Sequence, residues 1–195
     1  MLAAIGRAAA AGVDWIQIRE RTLEARELLE LAQRALASAV QNGARLLVND
    51  RLDVALAANA GGVHLGENSL PVERVSSWRL STSRTDFLIG VSCHSAEAAR
   101  AAERGGADYI FFGPVFATPS KAAFGPAQGI DRLKEICRFT EIPVIAIGGV
   151  TIENAASCIA AGAAGIAAIR LFQETEDVTG AVARLRTAFA RTAAP

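Results

Sequence analysis

The chain has 195 residues, with 20 Lys and Arg against 20 Asp and Glu, and 51% of its residues are hydrophobic. At roughly 100–200 residues per domain this predicts one domain, 1–195, able to bury a sizeable core without disulfide or metal and too apolar to be disordered. Zero net charge argues against an extended phosphate-binding surface and so against nucleic acid as a partner; no apolar run approaches the ~18 residues of a membrane span, and no signal peptide opens the chain. Cys93, Cys137 and Cys158 are odd in number and widely spaced, and read as reduced thiols of a cytoplasmic protein. No Cys/His cluster has zinc spacing.

The elements alternate along the chain. Residues 1–11, MLAAIGRAAAA, read as a helix that ends at Gly12, followed at once by a strand-like run, Val13 to Ile18. Leu23 to Gln41 carries Leu28, Leu29, Leu31, Ala32, Ala35, Leu36 and Ala39 at helical spacing. Arg45 to Asn49 is the next strand. Ala57 to Ala60, closed by Gly61-Gly62, leads into Val63-His64-Leu65, and Phe87 to Ser92 forms another strand. Ser95 is a good N-cap for a helix to Glu103; Gly105-Gly106 then leads into Ala107 to Phe112. A long loop, Gly113 to Gly129, separates this strand from Pro143 to Ile147. Thr151 starts a helix that ends near Gly162, before the last strand, Gly165 to Ile169.

That is seven strands and seven or eight helices. The strands are mostly continuous apolar runs, as in a parallel sheet buried on both faces. Alternation implies right-handed βαβ units, and the pattern fits a TIM (β/α)8 barrel at the compact end of its size range, ~200 residues. The Ala-rich helix, Gly, strand pattern recurs four times, at strands that count as the second, fourth, sixth and eighth of a barrel. The chain is therefore expected to lack the barrel's first strand. The exposed side of an incomplete barrel favours a homo-oligomer. An open doubly wound sheet is the rival, but no Gly-x-Gly-x-x-Gly follows the first strand.

In a barrel, chemistry sits at the C-terminal ends of strands. Arg19 and Arg21, two residues apart past the first strand, suit a phosphate or pyrophosphate; the plain alternative pairs them with Glu20 and Glu24. Asp50, after Asn49, is either a carboxylate for Mg²⁺ or a helix N-cap. Thr118, Ser120 and Lys121 make a possible anion clamp on the long loop. Gly148-Gly149, ahead of the Thr151 helix, suits a phosphate held by backbone N–H groups, with Arg170 as a cationic neighbour; the alternative is a close-packed turn. His64 and His94 are the only imidazoles, and either is more often structural than a proton-transfer group.

Taken together, the runs GVDWIQIRER, LLVNDRLDVALAANAGGVHLGE, IGVSCHSAEAARAAERGGADYIFFGPVFATPSK and IPVIAIGGVTIENAASCIAAGAAGIA resemble the thiamine phosphate synthase family, which has the thiazole tautomerases as close relatives. They cover most of residues 12–167. The resemblance implies a TIM barrel that joins hydroxymethylpyrimidine diphosphate to a thiazole phosphate and releases pyrophosphate with Mg²⁺. It assigns Gln17, Arg19 and Asn49 to the pyrimidine diphosphate, Asp50 to Mg²⁺, and Ser92 to the diphosphate or pyrimidine. Thr118, Ser120 and Lys121 would close over the substrates, and Gly148 and Gly149 would cradle the thiazole phosphate. The expected catalytic set is Arg19, Arg21, Ser92 and Lys121, with Arg170 among the binding residues.

This chain departs from the synthase pattern at three positions. Arg21 stands for Lys, Ser69 for a second Mg²⁺-binding Asp, and Arg170 for Ser. The first two resemble the tautomerase branch, yet the tautomerase His is here Pro114, as in synthases. The loss of one carboxylate weakens the expected hold on Mg²⁺ unless Glu67 or Asn68 compensates. Three functions follow as expectations: the synthase first, then a metal-independent thiazole phosphate isomerase, then a non-catalytic binder of thiamine phosphates.

Overall fold

The computed structural model describes residues 1–118 and 126–193. The chain divides into two compact units, Met1–Gly90 and Val91–Pro195. The strand order is the chain order, β1 to β7.

The first unit holds α1 (Leu2–Ala10), β1 (Trp15–Ile18), α2 (Ala25–Gln41), β2 (Arg45–Asn49), α3 (Leu52–Ala57), β3 (Gly62–Leu65) and α4 (Val72–Ser81). β1, β2 and β3 pair in parallel, with Ile18 opposite Val48 and Asn49 opposite His64. Helix α2 starts with a capping box between Glu24 and Glu27, which satisfies backbone donors that a helix start leaves orphaned. Its buried residues are Leu28, Ala32, Ala35 and Ala39, spaced to share one face of the helix. Burying a side chain such as Leu28 contributes ~1.5–3 kcal/mol. The small alanines bring the helix backbone close to its neighbours. β4 (Leu88–Cys93) runs across the division of the units, and its start bonds within the first unit, Leu88 N–H to Gly61 O at 3.0 Å.

The second unit continues with α5 (Ala96–Arg104), β5 (Tyr109–Phe112), α6 (Gly129–Phe139), β6 (Val144–Ile147), α7 (Ile152–Ala160), β7 (Gly165–Ala167), α8 (Arg170–Gln173) and α9 (Val178–Ala193). β5, β6 and β7 pair in parallel. Ser95 caps α5 by accepting the Ala98 N–H, and Thr151 caps α7 in a reciprocal pair with Asn154. Both starts were legible in the sequence.

The seven strands lie where the sequence places them, to within a residue or two at each end. Nine helices appear among the described residues, against seven or eight expected. The addition is α8, a single turn too short to show periodicity. The recurring helix-to-strand junction has a common geometry. Val13 bonds to Ala8 O, Ala60 to Ala55 O, Ala107 to Ala102 O and Ala163 to Cys158 O. These are the six-to-one bonds of a Schellman turn, which needs one left-handed residue. Gly12, Gly106 and Gly162 supply it at φ 87°, 89° and 101°. At the second junction Asn59 supplies it, at φ 55°, and not Gly61. Gly61 and Gly62 serve another need there. A Cβ on Gly62 would stand 2.3 Å from Leu88 O, so the strands' close approach excludes a side chain. Two further junctions, ending in Ala44 and Arg84, share the bond pattern without the Ala-Gly signature.

The three cysteines are free. Burial pushes the Cys93 thiol up to about 12 and those of Cys137 and Cys158 to about 11. No helix among the described residues is long and apolar enough to cross a membrane.

Candidate active site

In the first unit the strand ends carry exposed charge. Gln17 and Asn49 lie near the ends of the adjacent strands β1 and β2, and the Gln17 amide donates to Asn49 Oδ1 at 3.0 Å. The bond fixes both amides in register at the strand ends. Asp50 follows directly, in the left-handed region at φ 67°, a conformation that Asp tolerates better than most residues. Its N–H donates to His64 O at 2.8 Å, and its carbonyl accepts the Leu52 N–H at 3.0 Å. The backbone is thus pinned on both sides while the side chain stays exposed. Arg51, not Asp50, is the N-cap residue of α3, and it pairs with Asp53 at 2.6 Å. The helix-cap reading of Asp50 is therefore not what the fold uses.

β1 ends at Ile18, so Arg19 and Arg21 lie beyond the strand, and both are exposed. Burial, and then the nearby Arg21 charge, lower the Arg19 guanidinium below its ordinary value. Among the described residues no ion pair to Glu20 or Glu24 relieves this repulsion. Two neighbouring cations make a receptive place for a polyanion. After β3, Ser69 Oγ accepts the Gly66 N–H at 2.7 Å, and the Ser69 N–H donates back to Gly66 O at 3.1 Å. Ser69 thus closes the turn that carries Glu67 and Asn68. Among the described residues no three His, Cys, Asp or Glu side chains cluster as a metal site. His64 is 1% exposed within β3, a buried position that favours the structural reading.

In the second unit the strand ends are built largely of backbone. Ser92 is half-buried on β4, next to the buried Cys93. Past the strand, His94 Nδ1 hydrogen-bonds to Gly113 O, just beyond β5. The Gly113–Pro114 peptide bond is cis. Gly148 and Gly149 follow β6 at φ 95° and 66°, where a side chain is strained. Space forbids one as well. A Cβ on Gly148 would lie 2.6 Å from Pro114 Cα, and one on Gly149 would lie 2.7 Å from Ala117 O. Phe116 N–H donates to Gly148 O at 2.9 Å, and the Asn154 amide donates to Gly149 O at 3.0 Å. Both glycines therefore pack closely against the segment Pro114 to Ala117, which is laid over their turn.

Arg170 is not on a strand. β7 stops at Ala167, and Arg170 is the first residue of α8. Its guanidinium donates to Thr118 Oγ1 at 2.8 Å, a contact across 52 positions that sequence reasoning did not anticipate. Ser120 and Lys121 lie outside the described residues. A groove lined by Asp131, Lys134, Glu135, Arg138 and Phe139 is a solvated face of α6 and holds no strand-end residue.

Parallel α/β units with charged and polar residues at their strand ends define the class, an α/β fold of the kind that carries enzyme sites there. The family model for thiamine monophosphate synthase matches residues 1–172. The thiamine-phosphate synthase of Methanoculleus marisnigri is 46% identical over 179 residues, covering 92% of this chain and 83% of that protein. That of Methanocella arvoryzae is 43% identical over 180 residues, with the same shares covered, 92% and 83%. The structure of thiamine phosphate pyrophosphorylase from Pyrococcus furiosus superposes with a TM-score of 0.88 at 33% identity, covering 99% of this chain and 91% of that one. The chain belongs to the thiamine monophosphate synthase family, and is an enzyme of the transferase kind in thiamine biosynthesis. The relatives carry synthase names, which sets the isomerase reading aside.

Proposed function

We propose that the chain joins hydroxymethylpyrimidine diphosphate to a thiazole phosphate, releasing pyrophosphate. The bond between the pyrimidine methylene carbon and the diphosphate oxygen breaks, and the diphosphate leaves with the electron pair. The thiazole nitrogen then donates its lone pair to the methylene cation. One observation carries this reading: Arg19, Arg21 and Asp50 stand exposed just past the ends of the paired strands β1 and β2, tied together by the Gln17–Asn49 bond.

The charge that develops is on the leaving diphosphate, so fixed cations aimed at it lower the barrier. Arg19 and Arg21 take that role, with Gln17 and Asn49 orienting the pyrimidine diphosphate. The family resemblance adds Ser92 as a contact to the diphosphate or pyrimidine. The family resemblance extends the substrate contacts to Thr118, Ser120 and Lys121, with Arg170 steadying Thr118. Gly148 and Gly149 receive the thiazole phosphate.

Mg²⁺ fits this donor set in one form. The ion is commonly held by one or two carboxylates plus substrate phosphate oxygens. Asp50 offers one carboxylate, held by a pinned backbone and committed to no cap, so the ion would sit on Asp50 and the diphosphate together. When bound it would neutralise the charge of the departing diphosphate. The TIM-barrel assignment, with β1 as the family's second strand, belongs to the same proposal. The test is direct. Purified protein with Mg²⁺ and both substrates is expected to release pyrophosphate in step with thiamine phosphate, read by a coupled phosphate assay. No turnover overturns the proposal.

A further inference from the structure

We propose that His94 is a positioning residue for the phosphate of the thiazole substrate, acting through Gly113 and the segment laid over the Gly148–Gly149 turn. The inference rests on the reading of that turn given under Proposed function.

His94 sits one residue past β4, and Gly113 one residue past β5. A carbonyl oxygen only accepts, so the bond from His94 Nδ1 to Gly113 O places a proton on Nδ1. Gly113 N–H in turn points at Cys93 O, at 3.4 Å. The end of β4 therefore grips both polar groups of one glycine. No other residue fits there, because a Cβ on Gly113 would stand 2.0 Å from Ile147 O. From this clamp the chain runs straight onto the turn. Val115 N–H donates to Ile147 O and Phe116 N–H to Gly148 O, each at 2.9 Å. Pro114 fills the space a side chain on Gly148 would need, and Phe116 and Ala117 fill that of Gly149. The imidazole thus sets where the overlying segment begins, and the segment sets the path of both glycines. Loss of the ring hydrogen bond is expected to shift the turn without touching the diphosphate groups of the first unit.

The test joins ring NMR of the wild type to kinetics and binding for wild type, His94→Ala and His94→Asn. Nitrogen-15 spectra are expected to show His94 as the Nδ1–H tautomer; the Nε2–H tautomer overturns the proposal. His94→Ala is expected to raise the KM for thiazole phosphate about tenfold, as the loss of one orienting hydrogen bond allows. The KM for pyrimidine diphosphate should stay within about twofold, because Ser92, the second unit's assigned contact to that substrate, lies on β4 and not on the segment that His94 holds. His94→Asn places an amide donor near the Nδ1 position and should restore most of the loss. A merely structural role predicts both constants moving together, or only a lower melting temperature, and either overturns the proposal. Calorimetry with thiazole phosphate alone separates the two readings. If the wild type turns nothing over yet His94→Ala selectively loses thiazole phosphate binding, the proposed reaction falls and this inference stands. If the wild type binds no thiazole phosphate, both fall.

Discussion

The strand ends of the two units solve different problems with different materials. Those of the first unit are side-chain built: Arg19, Arg21 and Asp50 are exposed, and the Gln17–Asn49 bond ties their strands together beyond the backbone ladder. Those of the second unit are backbone built. Gly113, Gly148 and Gly149 each stand where a Cβ would come within 2.0–2.7 Å of a neighbouring atom, and capping and ring hydrogen bonds hold the turns from outside. Exposed cations suit a group that arrives highly charged and leaves more so. A tight turn suits one small phosphate that must be located and left unchanged. In the proposed reaction Arg19, Arg21 and Asp50 of the first unit therefore act on the leaving diphosphate, and the glycine turn of the second unit sets affinity for the acceptor.

That division is open to breakage. The largest effect is expected from Arg19→Ala. Removing a fixed donor from a leaving-group site costs about 10²–10³-fold in turnover, and the KM for thiazole phosphate should hold steady. A rise in that KM instead, measured by steady-state kinetics, would break the division. Gly148→Ala should act the other way. Its methyl would meet Pro114 at 2.6 Å, and the φ of 95° is strained for alanine. The expected result is a rise of about tenfold or more in the thiazole phosphate KM, with about 1–3 kcal/mol lost from stability in denaturant unfolding. Ser69→Asp sharpens the first unit. An Asp oxygen can accept the Gly66 N–H as Ser69 Oγ does, at 2.7 Å, and leave a second oxygen for the metal. The Mg²⁺ needed for half-maximal rate should fall by roughly severalfold, since Mg²⁺ sites use one or two carboxylates. An unchanged Mg²⁺ requirement, with circular dichroism intact, would count against Asp50 as the ion's holder.

Much of this is legible in the sequence alone. The helix caps at Ser95 and Thr151 announced themselves, because a hydroxyl at the right offset meets its donor within three residues. The seven strands were legible as apolar runs bounded by glycine. The strand-end residues of the first unit were legible too, because they follow those runs directly. What escaped was set by partners far along the chain. Arg170 looked like the end of a strand, because Ala168 and Ile169 continue the apolar run. It instead opens a helical turn and reaches Thr118. For Asp50 the sequence left a Mg²⁺ carboxylate and a helix cap equally open; its positive φ, with bonds to His64 and Leu52 on either side, was invisible. Gly61 looked like the helix stop, whereas Asn59 takes that conformation and the glycine is spent on close packing against Arg45.

The sequence by itself determined the alternation of helix and strand, the parallel order, and the residue types that stand at the strand ends. Those properties are written in local periodicity and in residues a few positions apart, where covalent geometry does the arranging. Only the tertiary structure decided which backbone atoms meet. Gly113 abuts Ile147, Pro114 lies over Gly148, and the His94 ring meets Gly113 O through Nδ1. Such contacts join residues tens of positions apart and hinge on ångström-scale clearances, which packing sets and no short stretch of sequence encodes.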